Sequence, residues 1–176
     1  MATPGASSEE EAVARFFANP GPDSWAVLFR CFAGQVIRYF QARGCPAADA
    51  EDLTQDVMLA IYRQCGQLRE RSLFRPWLFR IARNAFLRNL ERRGREENMP
   101  EEELVAPALD PLAPAQFAEW MCALDPPERE AIRLRYVDGL EYHEIAEMLK
   151  VPLGTIQWRV FQAKRKLAAR FGTRKS

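Results

Sequence analysis

Residues 141–171 read EYHEIAEMLKVPLGTIQWRVFQAKRKLAARF, and their pattern decides the fold of the C-terminal part of the chain. Apolar side chains at helical spacing predict a short helix over about 141–150 and a last helix over about 155–171. The intervening residues 151–154 include a proline and a glycine, which predict a tight turn. A short helix, a tight turn and a basic second helix are typical of a helix-turn-helix, whose second helix enters the major groove of DNA.

The last helix of this motif has two chemically different sides. One side carries apolar residues spaced by four, three and four positions, which predicts a packed stripe of Ile156, Val160, Ala163 and Leu167. The first turns of the opposite side would read base edges, and its basic side chains would meet phosphates. The candidate DNA-binding residues on that outer side are Thr155, Gln157, Trp158, Arg159, Phe161, Gln162, Lys164 and Arg165. The alternative is an ordinary helical hairpin with a solvated face.

Charge is distributed unevenly along the 176 residues, although the net charge is only +1. Residues 67–95 carry nine arginines against two glutamates, and residues 155–176 carry seven bases and no acid. In the second block, Lys166 and Arg170 would add phosphate contacts. Between the blocks, residues 96–119 carry seven acids and no base. Two basic blocks around an acidic one indicate two polyanion-binding surfaces, with two solvated helix faces as the alternative.

The N-terminal part of the chain also shows helical apolar spacing and no convincing strand. Its pattern predicts one helix over about 24–43 with Asp23 as N-cap, a second over about 47–65 and a third over about 74–94. Three such helices can bury a shared core. We therefore expect a first domain over residues 8–95.

Residues 96–114 contain four prolines and a cluster of acids, which predict a stiff, extended linker. Residues 115–176 then form a second helical domain, in which Asp125 is expected to cap a helix, with Pro126 at its first position and Glu128 three residues after the cap. The predicted fold class is all-α, with two small helical domains joined by an acidic, proline-containing linker and a C-terminal helix-turn-helix.

The third helix of the first domain carries a basic ridge. Four side chains recur every four residues and so lie along one side: Arg80, Asn84, Arg88 and Arg92. Arg83 and Arg95 flank them. Such a ridge can hold a phosphate backbone, and its amide can donate to a base. Phe74 and Trp77 come just before it, and aromatic rings beside arginines suit the stacking of unpaired bases. Plain core packing is the alternative for both rings, because both also fit the inward side of the helix.

The second helix presents a group of acidic and amide side chains. Asp52 and Asp56 lie one helical turn apart on a shared face, beside Gln55. No histidine or further acid accompanies them in a metal-ligand pattern. The pattern favours an acidic and amide surface that meets a basic partner protein, with a solvated face as the alternative.

Other features exclude whole classes of function. The four cysteines lack zinc-knuckle spacing and are expected to be buried, reduced thiols. No apolar run approaches the roughly 20 residues that span a bilayer. The acidic start of the chain does not resemble a secretory signal, so we expect a cytoplasmic protein without membrane insertion. No glycine-rich phosphate loop or nucleophile motif occurs, so we expect neither an enzyme nor a bound cofactor or metal.

Several segments together resemble extracytoplasmic-function (ECF) sigma factors, a group within the RNA polymerase sigma factor family. Residues 50–57, AEDLTQDV, are similar to the family's polymerase-binding helix. Residues 74–84, FRPWLFRIARN, are similar to the segment that melts and reads the −10 element. Segments between residues 124 and 156 resemble the domain that reads the −35 element. The matches span about residues 24–171 in the order typical of the family.

The resemblance implies roles for particular residues. It implies that the clamp helices of the polymerase largest subunit meet Asp52, Leu53, Gln55 and Asp56. It implies that the −10 region meets Phe74, Trp77, Arg80, Arg83, Asn84 and Arg88. Residues 67–72 stand where the family has a loop that captures a flipped base of the non-template strand. The implied partners are core RNA polymerase, promoter DNA and an anti-sigma factor, and the implied function is promoter recognition, DNA melting and transcription initiation.

The recognition helix departs from the family pattern. Gln157, Trp158, Phe161 and Gln162 make its outer side less basic and more aromatic than the family's. Trp158 or Phe161 would either touch thymine methyl groups or pack on a partner protein. Two further interpretations remain open at this point. One is a sigma-like decoy that titrates an anti-sigma factor, and the other is a nuclease, which would need a cluster of metal-binding acids that the sequence lacks.

Overall fold

A computed structural model describes residues 6–97 and 119–171, and the regular elements within these residues are helical. In chain order the helices are α1 (Ala6–Ala18), α2 (Pro22–Gln41), α3 (Ala47–Gln64), α4 (Phe74–Glu97), α5 (Pro126–Tyr136), α6 (Tyr142–Leu149) and α7 (Leu153–Phe171). Two short 3₁₀ turns, Cys65–Gln67 and Arg71–Leu73, connect α3 to α4, and a helical turn over residues 119–122 precedes α5. The predicted all-α fold class is confirmed.

Helix α1 is not predicted from the sequence pattern, because the consecutive acids Glu9, Glu10 and Glu11 obscure its apolar side. In the structure that side packs on α2. Phe16 is fully buried, with its ring centroid 5.6 Å from that of Trp25. The acids lie along the more solvated part of α1, so a helix that reads as polar still contributes to the core.

The start of α2 differs from the prediction. Asp23 is not the N-cap: the cap is Gly21, and the helix begins with Pro22, whose fixed φ suits a first position. The hydroxyl of Ser24 accepts a hydrogen bond from the backbone N–H of Gly21 at 3.0 Å and donates to the carbonyl of Asn19 at 2.7 Å. Asp23 therefore lies in the first turn, where its charge still favours the positive end of the helix dipole.

Aromatic side chains dominate the core of the first domain. Helix α2 contributes Phe32, Tyr39 and Phe40, and α4 contributes Phe74 and Phe79, each 1% exposed or less. A fully buried large apolar side chain stabilises a fold by about 1.5–3 kcal/mol. This core holds α4 against α2 and α3, and so fixes which side of α4 faces solvent.

The second domain folds largely as its capping signals predict. Asp125 is the N-cap of α5, and the carboxylate of Glu128 accepts the backbone N–H of Asp125 at 3.2 Å. Helix α6 ends at Leu149, and the next residue, Lys150, caps it with a left-handed φ of 55°. Helix α7 begins at Leu153, two residues before the predicted start, because the chain reverses within residues 151–152. The predicted turn over 151–154 is therefore too long.

The predicted end of the third helix differs from the structure. Helix α4 continues to Glu97, past the expected end near residue 94, and the rest of the predicted linker 96–114 lies outside the described residues. The predicted domain limits at 95 and 115 remain predictions. No helix within the described residues is long and apolar enough to cross a membrane.

The cysteines match their prediction only in part. All four are free thiols, but Cys122 is exposed, Cys31 and Cys65 are half-buried, and only Cys45 is buried. Burial raises the pKa of the Cys45 thiol to about 11. Expecting all four to be buried was wrong, because helical spacing does not show that the short turn before α5 leaves Cys122 on the surface.

The two sides of α7 give a stability prediction. Ile156→Ala should lower the free energy of unfolding by about 2–5 kcal/mol, because the isoleucine is fully buried and the substitution leaves a cavity. Trp158→Ala should change it by less than about 0.5 kcal/mol, because the tryptophan is 57% exposed. Urea denaturation followed by circular dichroism measures both. An equal loss in the free energy of unfolding for the two variants would contradict the assignment of Ile156 to the inner side and Trp158 to the outer side of α7.

Candidate nucleic-acid interface

The outer side of α7 presents aromatic and basic side chains to solvent. Trp158 and Phe161 are 57% and 59% exposed and lie about one helical turn apart. Gln157, Lys164 and Arg165 are exposed with them. The other candidate residues of this helix are half-buried: Thr155, Arg159 and Gln162. The structure thus brings the predicted −35 residues onto one helix, with the aromatic pair as its most prominent apolar feature.

Two of the basic side chains near this surface already have partners. The ammonium of Lys164 lies 5.1 Å from the centroid of the Tyr136 ring, and its hydrogen bond to Tyr136 raises the pKa of Lys164. The ammonium of Lys166 lies 2.6 Å from Asp125 and 2.8 Å from Glu128. Lys166 therefore stabilises the start of α5, and its predicted role as an added phosphate contact is not supported by this arrangement.

The ridge on α4 is only partly exposed to solvent. Asn84 and Arg88 are exposed and Arg80 is half-buried, so all three can reach a ligand outside the first domain. Arg83 points elsewhere: its Nε donates to Oε1 of Glu130 in α5 at 2.7 Å. Arg83 is thus engaged by the second domain, a contact that the sequence pattern does not predict.

Phe74 and Trp77 lie beneath the ridge, in the core. They are 1% and 8% exposed, and the Phe74 ring centroid lies 5.1 Å from that of Phe32 and 6.1 Å from that of Phe17. Both rings are therefore packed in the core, which was the alternative interpretation of the sequence. This corrects the expectation that they form an open stacking site. Unpaired bases could stack on them only if both rings left the core.

Helix α3 carries the predicted acidic surface and extends it. Asp52, Gln55 and Asp56 are exposed and Leu53 is half-buried. Sequence reasoning missed two exposed apolar residues on the same face, Leu59 and Tyr62. Their positions seven and ten residues after Asp52 place them on its face of a helix, so the helical period could have revealed them.

A groove separates this acidic surface from the end of the ridge. Its volume is about 240 Å³, and Asp56 of α3 faces Arg88, Asn89 and Arg92 of α4 across it. Within α4, Arg92 donates to the amide oxygen of Asn89 at 3.1 Å. The groove therefore has an acidic wall and a basic wall.

The segment between α3 and α4 presents polar side chains to solvent. The residues of the predicted base-capturing loop that are exposed are Gln67, Arg69, Glu70, Arg71 and Ser72. The hydroxyl of Ser72 donates to the carboxylate of Glu70 at 2.8 Å. The part of the chain that the structure describes holds no group of three or more histidine, cysteine or acidic side chains arranged to bind a metal ion.

These features define a class of protein: a two-domain helical DNA-binding protein with a helix-turn-helix and a second basic surface on another domain. The chain belongs to the sigma-70 family of transcription factors, since the family model for sigma-70 region 2 matches residues 28–96 and the model for sigma-70 region 4 matches residues 115–167. The resemblance to ECF sigma factors is confirmed by similar curated proteins.

Two of these proteins illustrate the similarity. The chain is 38% identical over 156 residues to the ECF RNA polymerase sigma factor SigE of Mycolicibacterium smegmatis, which covers 82% of this chain and 60% of that protein. It is 29% identical over 157 residues to the ECF RNA polymerase sigma-E factor of Escherichia coli strain K12, which covers 73% of this chain and 80% of that protein. The chain thus spans about three fifths of the mycobacterial relative.

Solved structures show the same fold. The structure of CnrH in complex with the cytosolic domain of CnrY superposes with a TM-score of 0.68 at 23% identity, covering 96% of this chain and 99% of that one. The sigma factor RpoE in complex with the anti-sigma factor NepR from Bartonella quintana superposes with a TM-score of 0.60 at 27% identity, covering 81% of this chain and 94% of that one.

The burial of Phe74 separates packing from stacking. Phe74→Ala should lower the free energy of unfolding by about 3–5 kcal/mol, because it removes a buried ring from the core. Asn84→Ala, on the exposed ridge, should change it by less than about 0.5 kcal/mol. Thermal and urea denaturation provide the measurement. A fully stable Phe74→Ala variant that fails only to bind single-stranded DNA would instead support the stacking role.

Proposed function

We propose that this chain binds core RNA polymerase and directs it to particular promoters, where DNA melting and transcription initiation follow. The observation that supports this most is the exposed outer side of α7 in a helix-turn-helix, accompanied by an exposed basic ridge on a different domain. The ridge of α4 would serve the −10 element and α7 the −35 element. The curated names of similar proteins support the same function.

The polymerase contact is assigned to the exposed face of α3. Asp52, Gln55 and Asp56 provide charge and hydrogen-bonding groups, while Leu59 and Tyr62 provide apolar area. Protein interfaces combine such groups, with charge favouring the encounter and apolar and aromatic area contributing to affinity. A nucleic acid is a poor ligand for this face, because its phosphates would be repelled by the two carboxylates.

The −10 contact is assigned to Arg80, Asn84 and Arg88, with residues 67–72 nearby in the chain. The two guanidinium groups would hold the phosphate backbone, and the amide of Asn84 would donate to a base. A base extruded from the duplex loses its stacking, so capturing it couples recognition to melting. Phe74 and Trp77 would support this surface from below without touching DNA.

The −35 contact is assigned to the outer side of α7. Gln157 lies in the first turns, where a recognition helix reads base edges, and Arg165 is placed to meet phosphates. Trp158 and Phe161 would contact thymine methyl groups, which project into the major groove as its characteristic apolar feature. This assignment predicts a −35 element with thymines opposite the aromatic pair.

An anti-sigma factor is proposed as a regulatory partner, because the similar sigma factor RpoE is bound by the anti-sigma factor NepR. A decoy that only titrates an anti-sigma factor is the second candidate. The exposure of Trp158 and Phe161 favours it, since two aromatic rings offer a docking surface for a protein. The exposed ridge of α4 and the names of the similar proteins weigh against it, because a decoy needs no DNA-melting surface.

Transcription in vitro distinguishes the two functions. Purified chain is added to core RNA polymerase with a genomic DNA library from the bacterium that carries the gene, and transcript starts are sequenced. A promoter-specificity factor should create new starts that share two motifs at fixed spacing. Tight binding to polymerase or to an anti-sigma factor without new starts would support the decoy.

Substitutions on α3 and α4 should separate polymerase binding from melting. Asp52→Lys with Asp56→Lys should weaken polymerase binding at least about tenfold, because both carboxylates that would face a basic partner surface change sign. Arg80→Ala with Asn84→Ala should leave polymerase binding unchanged and abolish open complexes. Fluorescence anisotropy measures the first effect and permanganate footprinting the second.

A matched control for the α3 variant is Glu10→Lys with Glu11→Lys, which changes the net charge equally on the exposed side of α1. This control should bind polymerase like the natural chain. If both pairs of lysine substitutions weaken binding equally, or if the α3 and α4 variants both transcribe normally, the assigned sites are wrong.

Replacing thymine by uracil should test the aromatic pair. Uracil lacks the methyl group, whose burial contributes about 0.8 kcal/mol, so each contacted thymine in the −35 element should account for roughly fourfold in affinity. A Trp158→Ala, Phe161→Ala variant should bind the two DNAs equally. Lys164→Ala should weaken binding to both DNAs and keep their ratio. An unchanged affinity of the natural chain for uracil-containing DNA would contradict the methyl contact.

A further inference from the structure

The outer side of α7 carries two aromatic rings that the rest of the protein leaves free. Trp158 and Phe161 are 57% and 59% exposed. Within the part of the chain that the structure describes, neither ring packs on another aromatic ring or on a cation. An aromatic side chain contributes most when a ligand buries its large apolar surface. The pair therefore points to an apolar group on the molecule that α7 binds.

The charges of α7 favour DNA over a protein as the ligand of this pair. The helix contains five basic side chains and neither aspartate nor glutamate. Arg165 lies four residues after Phe161 and seven after Trp158, so the helical period places it on the same side. A phosphate backbone can meet that charge while the edges of the bases meet the two rings. The apolar group is therefore expected on a base.

The spacing of the two rings suits neighbouring base pairs. Trp158 and Phe161 are three residues apart, which corresponds to a rise of about 4.5 Å along a helix. Base pairs in duplex DNA follow each other at about 3.4 Å. The C5 methyl group of thymine is the characteristic apolar feature of the major groove. The pair can therefore meet C5 methyl groups on base pairs one or two steps apart.

We propose that the pair recognises the C5 methyl group itself, so that α7 binds 5-methylcytosine as well as thymine. This inference rests on the proposed function, because it uses the assignment of α7 to the −35 element. Methylation of cytosine at C5 places a methyl group at the ring position where thymine carries its own. The apolar surfaces of Trp158 and Phe161 gain free energy by burying that methyl group on either base, because the hydrophobic effect is not directional.

The two methylated bases differ at ring position 4, where α7 can accommodate both. Thymine has an oxygen there that accepts a hydrogen bond, and cytosine has an amino group that donates one. The exposed amide of Gln157, next to Trp158 in the chain, has both a donor and an acceptor and can meet either group. The arginine and lysine side chains of α7 only donate, so sites with cytosine should bind more weakly overall. The methyl contact is separate from this preference.

Recognition of the methyl group would make promoter binding respond to cytosine methylation. A −35 element with unmodified cytosine opposite the pair lacks the apolar contact, and methylation at C5 supplies it. Burial of one methyl group accounts for about fourfold in affinity. When the protein is limiting, initiation at a methylated promoter should rise by a similar factor. The outer side of α7 would then detect the methylation state of DNA without a partner protein.

Selection from random DNA tests the proposal without knowledge of the promoter. The full chain, with and without core RNA polymerase, selects from two libraries of random duplexes, one made with cytosine and the other with 5-methylcytosine. Positions that enrich thymine in the first library should enrich both thymine and 5-methylcytosine in the second. Enrichment of thymine alone in both libraries, or no enriched thymine position in either, would overturn the proposal.

Defined duplexes built from the selected site measure the size of the effect. One thymine–adenine pair is replaced by uracil–adenine, cytosine–guanine or 5-methylcytosine–guanine, and affinity is measured by fluorescence anisotropy. Thymine over uracil and 5-methylcytosine over cytosine should each give about fourfold, since only the methyl group differs within each comparison. Trp158→Ala with Phe161→Ala should abolish both differences. Lys164→Ala is the matched control, which should weaken binding to all four duplexes and keep both differences.

The two comparisons keep this inference and the proposed function apart. A preference for thymine over uracil without one for 5-methylcytosine over cytosine would overturn this inference alone. Equal affinity for thymine and uracil would overturn this inference and the thymine contact, while new transcript starts would still support the sigma function. Both preferences in a chain that never directs transcription would overturn the proposed function and support the recognition of methylated bases. Circular dichroism should show unchanged helix content in each variant.

Discussion

The packing of α4 against α2 and α3 is the constraint on which the rest of the molecule depends. Phe74 and Leu78 are buried in the core of the first domain. Because α4 has a fixed helical period, this packing also determines which way the basic side chains of the ridge point. The same helix presents Arg75 and Arg83 to the second domain. Aromatic packing thus sets the stability of one domain, the direction of its ridge and the position of its neighbour.

The helical period accounts for what could be predicted from the sequence. The stripe that includes Ile156 and Val160 is buried as expected, because a strict spacing admits one inward side. The period cannot decide whether Phe74 packs or stacks, since an inward ring at a helix start fits both. What closes over Phe74 is α1, through Phe17, and α1 is hidden in the sequence by its run of acids. The failure to predict α1 and the failure to predict that Phe74 is buried therefore have the same cause.

Contacts between charges far apart in the sequence could not be predicted. Arg83 and Glu130 are 47 residues apart, and Lys166 and Asp125 are 41 apart. A basic side chain needs an anion, but its sequence position does not tell a phosphate of DNA from a carboxylate of the same chain. Two residues expected to contact DNA are accordingly held within the protein. Of these, Lys166 contacts the start of a helix, whereas Arg83 joins the two domains.

The same competition between internal and external anions bears on how strongly the second domain would bind DNA. The outer side of α7 has aromatic rings where further cations would strengthen phosphate contact, so the second domain alone should bind DNA modestly. Two modest sites on one protein bind tightly when their separation matches that of their targets, and this gain disappears when geometry forbids simultaneous contact. The ion pair of Arg43 and Asp138, 2.9 Å across the two domains, helps to set that separation in the structure. Because desolvation offsets much of the attraction within a buried ion pair, such a pair fixes a geometry while adding little net stability.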